Sequence, residues 1–514
     1  MPSFRPRSLR RTLATATLAL AAPALLAATP SAGATTTPSP TGTSPARASS
    51  APTATASPEP ETTSPSPTAG PSTSSPSPTD TATPTTTDSP TATSTPPPTP
   101  AGTATPAMPS PTASTATPSP SADVPPTTAP APTAALSSAD ARISSMLEAR
   151  ATTDRFGRYF SGTVLDVESG QIVWAHRRTA QMLPASNAKL FTAATALDTL
   201  GPDATFRTLV RRGARANHVV LVGTGDPLLN NAKLATLARE TKAYLDAKGY
   251  KNPQVFVDDY FFPRPSLAYG WKESYVIDSV TPVRPLVRNN RDIMDTSADA
   301  GRYLAARLRA LGIPGARYAG RQDVASWRTT LADVDSFTVA GMVRRMVLTS
   351  DNDVAEILLR RTSYGMRNGT GWSGAKATQT EGATALGTGF GVLYDGSGLS
   401  RADRLSTYQL AKLLRTVQSG SNPELNTLRS RNVMPTAGRT GTLKNRFTSA
   451  AADCAVGKVW AKTGTLGDTV ALSGWTTGTD GRTKVFSFLV NRKTSSSTLK
   501  ANVDMLAATV NGCY

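Results

Sequence analysis

The chain has 514 residues, and its 54 Lys and Arg against 36 Asp and Glu give a formal net charge of +18 at neutral pH. Its two histidines, His176 and His218, stand in no metal-binding pattern, which argues against a histidine-rich zinc site and against a Ser-His-Asp triad. If the protein is a hydrolase, another base is needed, and a lysine with a lowered pKa can serve.

The first 34 residues have the pattern of an export signal. Four arginines precede residue 12, an apolar run follows from Leu13 to Ala28, and Ala32-Gly33-Ala34 offers small residues for cleavage. Pro23 interrupts an apolar run that is already short for a membrane-spanning helix. We therefore predict that residues 1–34 are a removed signal peptide and that the protein is exported, either retained at the cell wall or secreted.

Residues 35–133 are almost entirely Thr, Ser, Pro and Ala. They have too few apolar side chains to offset the entropy of ordering, so they are predicted to be disordered, and repeated Pro favours an extended stalk. Such a segment is either a spacer through a cell wall or a tolerated low-complexity tail.

The remaining region, residues 134–514, is predicted to fold, and it carries nearly all of the net charge. Behind an export signal, this charge suits anionic wall polymers or a membrane surface rather than nucleic acid; a generally solvated basic surface is the alternative.

The stretch LPASNAKLFTAATAL (183–197) places Ser186 three residues before Lys189. Its apolar spacing predicts a buried helix, on which residues i and i+3 share a face, and Pro184 puts Ser186 in the first turn. Burial would lower the pKa of the lysine and help it to accept a proton from the serine. The alternative is a surface capping serine followed by a solvated lysine, and Ser-x-x-Lys also occurs at Ser373 and at Ser497.

The triplet Ser350-Asp351-Asn352 lies between two amphipathic stretches, so it is predicted to sit at a break between helices. A serine hydroxyl there can relay a proton, and an asparagine amide can bind a peptide carbonyl. The alternative is a helix cap, which these residue types favour strongly when the triplet is taken alone. Ser430-Arg431-Asn432 has the same spacing.

The segment Lys462-Thr463-Gly464-Thr465 ends a strand-like run. Backbone N–H groups on a strand edge, with a glycine clearing the approach, can bind an extended peptide and stabilise an oxyanion. The alternative is an ordinary turn between two strands. The two cysteines, Cys454 and Cys513, form a plausible disulfide in an exported protein.

The order Ser-x-x-Lys, Ser-x-Asn, Lys-Thr-Gly is that of the penicillin-recognising serine hydrolases. The segments 185–189 (ASNAK), 225–227 (GDP), 348–352 (LTSDN), 394–401 (YDGSGLSR) and 438–443 (GRTGTL) resemble the low-molecular-mass class C penicillin-binding proteins. These are the D-alanyl-D-alanine carboxypeptidases/endopeptidases of peptidase family S13. The resemblance spans residues 140–514.

The resemblance implies an α/β (α+β) fold, with a five-stranded antiparallel sheet flanked by helices and an all-helical part. A hairpin at residues 162–177 and three later strands suit that sheet. It also implies an insertion between the first two motifs, here at about residues 205–321 and shorter than in the larger members.

By the same resemblance, Ser186 is the acylated nucleophile, Lys189 the general base and Ser350 the proton relay. Asn352 holds the peptide. Lys462, together with Thr463 and Thr465 on either side of Gly464, binds the terminal carboxylate. The backbone N–H groups of Ser186 and Thr465 form the oxyanion hole. The substrates implied are peptidoglycan stem peptides ending in D-Ala-D-Ala, with β-lactams as acylating inhibitors and no cofactor or metal.

Two other functions compete with this interpretation. A β-lactamase would also need a group that deacylates the penicilloyl enzyme, but no clear glutamate is available, and Glu356 in the helix after the triplet is interpreted as structural. A silent wall-binding protein is disfavoured because all three motifs are intact.

Overall fold

The structure is a computed structural model that describes residues 135–389 and 391–514. The predicted signal peptide (residues 1–34) and stalk (residues 35–133) lie outside the described residues. In the part that is described, no helix has the length and apolarity needed to span a membrane.

Helices and strands are mixed along the chain, with a run of helices, α6 to α10, before the last three strands. The helices are α1 (Ser138–Arg150), α2 (Thr153–Phe156), α3 (Ala188–Leu200), α4 (Asn231–Ala247), α5 (Thr296–Ala310), α6 (Val339–Thr349), α7 (Asn352–Gly365), α8 (Trp372–Ala385), α9 (Thr407–Ser419), α10 (Asn426–Arg429) and α11 (Ser497–Asn511). The strands are β1 (Phe160–Asp166), β2 (Ile172–His176), β3 (Arg207–Arg212), β4 (His218–Val222), β5 (Asp226–Leu229), β6 (Gln254–Asp258), β7 (Leu286–Arg288), β8 (Arg317–Arg321), β9 (Thr330–Asp335), β10 (Val459–Leu466), β11 (Thr469–Thr477) and β12 (Thr483–Asn491).

The main sheet has five antiparallel strands in the order β10-β11-β12-β1-β2, as the resemblance implied. Side chains of a strand alternate between the two faces of a sheet, and both faces are covered here. On β12, Val485 and Leu489 belong to an apolar cluster with α3, α6, α7 and α9. Phe486 and Phe488 belong to a second cluster with α1 and α11. The predicted fold class is confirmed.

A second five-stranded sheet lies between the first two motifs, in the order β8-β6-β4-β3-β9. Its apolar residues pack with α4 and α5 into a separate cluster. Strand β9 pairs with β3, so this sheet continues past residue 321, which the sequence suggested as the approximate end of the insertion.

The helix after Pro184 begins one turn later than predicted. Ala185–Asn187 form a short 3₁₀ turn, and the α-helix starts at Ala188. Ala185 has a φ of +46°, a left-handed conformation that is strained for a residue with a Cβ. The chain therefore bends sharply before α3, and Ser186 lies in the bend.

Candidate active site

Ser186 is held in place by the loop that contains the DGSGLSR motif. Gly398 of this loop packs on the carbonyl oxygen of Ala185, which would lie only 1.9 Å from a Cβ at residue 398. Gly398 also has a φ of +80°, so a side chain is excluded there by space and by conformation. A second glycine, Gly464 on β10, lets that strand approach from the other side, since its Cβ would lie 2.9 Å from the carbonyl oxygen of Pro184.

The Lys189 amine is the centre of the site. It lies one helical turn after Ser186, and its Nζ is 3.1 Å from Ser186 Oγ. Nζ also donates to Asn352 Oδ1 at 2.6 Å and to the Ser397 carbonyl oxygen at 2.7 Å. A neutral amine has two N–H donors and one lone pair. When the amine is neutral, Asn352 and Ser397 can take its two donors, which leaves its lone pair to accept the proton of the Ser186 hydroxyl.

The surroundings of Lys189 favour its neutral form. The side chain is fully buried, and burial lowers its pKa to about 8, against the opposing effect of nearby carboxylates. The predicted burial of this helix is therefore found, and Lys189 is not the solvated lysine of the alternative interpretation.

Ser350 and Asn352 stand on either side of a helix cap. Ser350 ends α6 in the left-handed conformation, with a φ of +63°, and Asp351 caps α7 by accepting the N–H of Val354 at 3.0 Å. The Asn352 amide donates to the Ser279 carbonyl oxygen at 2.7 Å. The middle residue of the triplet is therefore a helix cap, and its outer residues line the cleft, where the catalytic interpretation requires them.

Lys462 links the third motif to the second. Its Nζ donates to Ser350 Oγ at 2.9 Å and to the Thr463 carbonyl oxygen at 2.8 Å. Burial lowers the pKa of this amine well below its usual range, and the positive charge of Lys189 lowers it further. Thr463 donates to the hydroxyl of Thr442 at 2.8 Å, and Thr465 follows on the same strand.

The three motifs line one cleft of about 680 Å³. Hydroxyl groups of Ser186, Ser350, Thr442, Thr463 and Thr465 face it, together with the Asn352 amide. Within the described chain its lining includes three cationic side chains and no carboxylate; the cations are Lys272, Arg446 and Lys500. Arg446 is paired with Asp504 at 2.7 Å.

Some lining residues were not predicted from the sequence. Lys272 and Tyr275 come from the insertion, with no local motif to indicate them. Lys500 is the lysine of the Ser-x-x-Lys that starts at Ser497. From the sequence this lysine resembled an ordinary solvated side chain, but it lines the cleft. Ser373, in contrast, is exposed on α8, so its Ser-x-x-Lys lies on a surface helix.

The histidines and cysteines lie away from this chemistry. His176 is on β2, and His218 on β4 contacts Gln322; neither lines the cleft. Cys454 and Cys513 form the expected disulfide, with their Cα atoms 6.2 Å apart. Among the described residues, no three His, Cys, Asp or Glu side chains are grouped so that they could hold a metal ion.

A serine hydroxyl within hydrogen-bond distance of a buried lysine amine, beside the edge strand of an antiparallel sheet, is the arrangement of the serine hydrolases that use lysine as the base. The sequence comparisons narrow this class. The model of the D-Ala-D-Ala carboxypeptidase 3 (S13) family matches residues 143–290 and 279–510. The chain therefore belongs to this family, and its predicted class, a serine-type D-Ala-D-Ala carboxypeptidase, is confirmed.

Curated relatives cover most of the folded region. Carboxypeptidase DacB of Mycolicibacterium smegmatis is 30% identical over 378 residues, 69% of this chain and 80% of the relative. Carboxypeptidase Rv3627c of Mycobacterium tuberculosis is 32% identical over 382 residues, 70% of this chain and 81% of the relative. The D-alanyl-D-alanine carboxypeptidase of an Actinomadura species is 27% identical over 447 residues, 67% of this chain and 81% of the relative.

A solved structure supports the fold. Penicillin binding protein 4 of Haemophilus influenzae superposes with a TM-score of 0.60 at 19% identity, and the match covers 70% of this chain and 97% of that protein.

Proposed function

We propose that this chain is an exported enzyme that cleaves the D-Ala-D-Ala end, or a D-Ala cross-link, of peptidoglycan stem peptides through an acyl-serine at Ser186. The observation that carries the proposal is the environment of Lys189: a buried amine held by Asn352 and by the Ser397 carbonyl, with the Ser186 hydroxyl 3.1 Å away. This arrangement supplies the base that the two histidines do not.

Acylation begins when Lys189 Nζ takes the proton of Ser186 Oγ, which attacks the carbonyl carbon of the penultimate D-alanine. The oxyanion is stabilised by the backbone N–H groups of Ser186 and Thr465. The C–N bond then breaks, and the leaving D-alanine nitrogen receives a proton through Ser350, whose Oγ is already hydrogen-bonded to Lys462 Nζ. The proton taken by Lys189 thus balances the one delivered to the amine.

Deacylation reverses the roles. A water molecule attacks the ester carbonyl, its proton passes to Lys189, and Ser186 Oγ leaves with a proton as the D-alanyl carboxylic acid is released.

Before acylation, Asn352 holds the peptide, and Lys462 with the hydroxyls of Thr463 and Thr465 binds the carboxylate of the terminal residue. Gly464 clears space for the extended peptide beside β10.

Penicillin presents a strained amide to the same serine, and we expect it to acylate Ser186 and remain attached. The Glu356 carboxylate faces the loop at Gly396 rather than the cleft, and none of the described lining residues is a carboxylate that could activate a deacylating water. This supports a peptidase rather than a β-lactamase.

The rest of the chain suits a site of action in the wall. We propose that residues 1–34 direct export, that residues 35–133 act as a spacer, and that residues 134–514 form the catalytic region, with an insertion that starts near residue 205. The excess of positive charge suits retention by anionic wall polymers.

The test is to incubate the purified protein with a fluorescent penicillin and with diacetyl-Lys-D-Ala-D-Ala. Lasting label with release of D-alanine supports the peptidase. Rapid loss of label indicates a β-lactamase, and absence of label together with no released D-alanine indicates a silent wall-binding protein. Ser186→Ala should take up no label, whereas Ser373→Ala, which changes the exposed Ser-x-x-Lys on α8, should behave as wild type.

A further inference from the structure

Glu356 is a fully buried acid that the reaction does not use directly. It lies on α7, one helical turn after Asn352, and its side chain is turned to the loop 394–401. Both carboxylate oxygens accept the N–H of Gly396 at 3.1 Å, and Oε1 also accepts the N–H of Ser397 at 2.8 Å. A buried acid without such partners would be costly, so these bonds determine where its carboxylate lies.

Glu356 binds the N–H of the residue whose carbonyl accepts from the catalytic amine. The Ser397 carbonyl oxygen accepts from Lys189 Nζ at 2.7 Å, while its N–H is bound by Glu356. Helix α7 therefore reaches the amine twice: directly through Asn352 Oδ1, and through Glu356 and the loop. The two side chains share a face because they are four residues apart.

The loop is also fixed from its other side. Thr192, on the helix that carries Lys189, donates to the Gly396 carbonyl oxygen at 2.8 Å, and Gln379 on α8 donates to Thr192 Oγ1 and to the Asp395 carbonyl oxygen. Without Glu356, the N–H groups of Gly396 and Ser397 would be buried and unpaired, and the loop would have to move to satisfy them.

We propose that Glu356 is a positioning residue for the catalytic base: its carboxylate fixes the Gly396–Ser397 peptide so that the Ser397 carbonyl holds the Lys189 amine with its lone pair directed at Ser186. The inference rests on the proposed role of Lys189. It assigns to this buried glutamate a task in acylation, in addition to its contribution to packing.

The positioning role of Glu356 can be measured through the pKa of Lys189. Burial raises the pKa of Glu356 to about 8, with Asp395 adding to that effect, and the carboxylates of Asp395 and Glu356 are the largest influences that oppose the effect of burial on Lys189. The other charged groups near the two side chains are Asp351, Asp353, Arg360, Asp403 and Lys462. In Glu356→Gln an N–H₂ group replaces one accepting oxygen, so the Ser397 carbonyl should shift away from Lys189. The amine then loses an acceptor that stabilises its ammonium form, and the pKa of Lys189 should fall.

The experiment measures the second-order rate constant of acylation by a fluorescent penicillin from pH 5 to pH 10. It compares the whole wild-type protein with Glu356→Gln, Glu356→Asp and Glu240→Gln; Glu240 is an exposed glutamate on α4 that serves as the matched control. In Glu356→Gln we expect a loss of about 10²-fold at the pH optimum, the order that a misplaced catalytic group causes. The acidic limb of the pH–rate profile should also move to lower pH.

A merely structural role would lower the melting temperature and the active fraction but would leave the midpoint of the acidic limb in place. Glu356→Asp keeps the acid but shortens the side chain, so it should displace the same carbonyl: its rate should fall and its limb should move in the same direction. Glu240→Gln should match wild type in both.

A folded Glu356→Gln with the wild-type rate and limb would overturn the proposal. If Glu356→Gln does not fold, the aspartate variant decides, and a wild-type rate in it would overturn the proposal equally. Failure of the proposed function gives a different result, because the wild-type protein would then take up no label at any pH.

Discussion

The reactivity of Ser186 depends on how much of the Lys189 amine is neutral. Burial lowers the pKa of this amine to about 8, so the neutral fraction grows as the pH rises toward that value. We expect the acylation rate constant to rise about tenfold per pH unit well below pH 8 and to level off above it. Stopped-flow measurements with a fluorescent penicillin would show this limb; a rate that falls between pH 6 and pH 8 would contradict the assignment of Lys189 as the base.

Asn352 keeps a neutral oxygen 2.6 Å from the same amine. Asn352→Asp would place a carboxylate there, which stabilises the ammonium form and raises the pKa of Lys189. We expect acylation at pH 7 to fall about tenfold or more, with partial recovery at higher pH. Asn432→Asp, which changes the exposed asparagine of the Ser-x-Asn at residues 430–432, is the matched control and should leave the profile unchanged. Equal profiles in both variants would argue against a direct contact.

At this scale the sequence predicted which residues meet, because the three motifs and their order resemble those of a known family. It could not predict the Ser397 carbonyl or the task of Glu356. A backbone oxygen carries no residue signature, and a buried glutamate on an amphipathic helix resembles any other structural acid until the loop that it binds is seen.

Two elements that border the cleft are tied by one ion pair. Arg401, at the end of the DGSGLSR loop, donates both Nη groups to Asp468 in the turn between β10 and β11, at 2.7 and 2.8 Å. Both side chains are about a third exposed, so the pair should contribute only about 0–1 kcal/mol to the free energy of unfolding. Its geometry, however, fixes the end of the strand that carries the third motif.

We therefore expect Arg401→Ala to change the melting temperature little and to slow acylation about tenfold, because β10 loses its tie to the loop. Asp468→Ala should have the same effect, and the double variant should be no worse than either single one. Additive losses in the double variant would show that the two residues act separately.

Hydrophobic periodicity predicted which stretches form helices or strands better than it predicted where those elements begin and end. The helix after Pro184 starts late because Ala185 adopts a left-handed conformation, which no propensity indicates. The glycine-rich stretch around Ser373 lacked the pattern of a buried helix, yet α8 forms there, with Ala375 buried in its inner face. Tertiary packing overrides local preference in such segments.

The disulfide joins two distant parts of the catalytic region. Cys454 lies just before β10, and Cys513 follows α11, 59 residues later. A Cys454→Ser, Cys513→Ser variant should lose about 4 kcal/mol in free energy of unfolding by the chain-entropy model. We expect it to keep its acylation rate at 25 °C, since neither cysteine lines the cleft. Urea unfolding of both forms would test this, and an unchanged midpoint would show that the bond adds no stability.

The general architecture was predictable because the family motifs specify a known sheet with helices on both faces. The extent of the second sheet was not, because β9 is joined to β3 across more than 100 residues, and pairing over that distance leaves no local trace.

The charge of the cleft lining has a consequence for how the enzyme meets its substrate. Lys272 and Lys500 line the cleft, and none of the described lining residues is a carboxylate, so we expect anionic peptides to be drawn in by a positive field that dissolved ions weaken. At about 0.15 M ionic strength the Debye length is about 8 Å, shorter than the approach path of a wall peptide. Substrate association should therefore be fastest at low ionic strength and slow at high ionic strength, whereas the rate of the chemical step inside the site should not change.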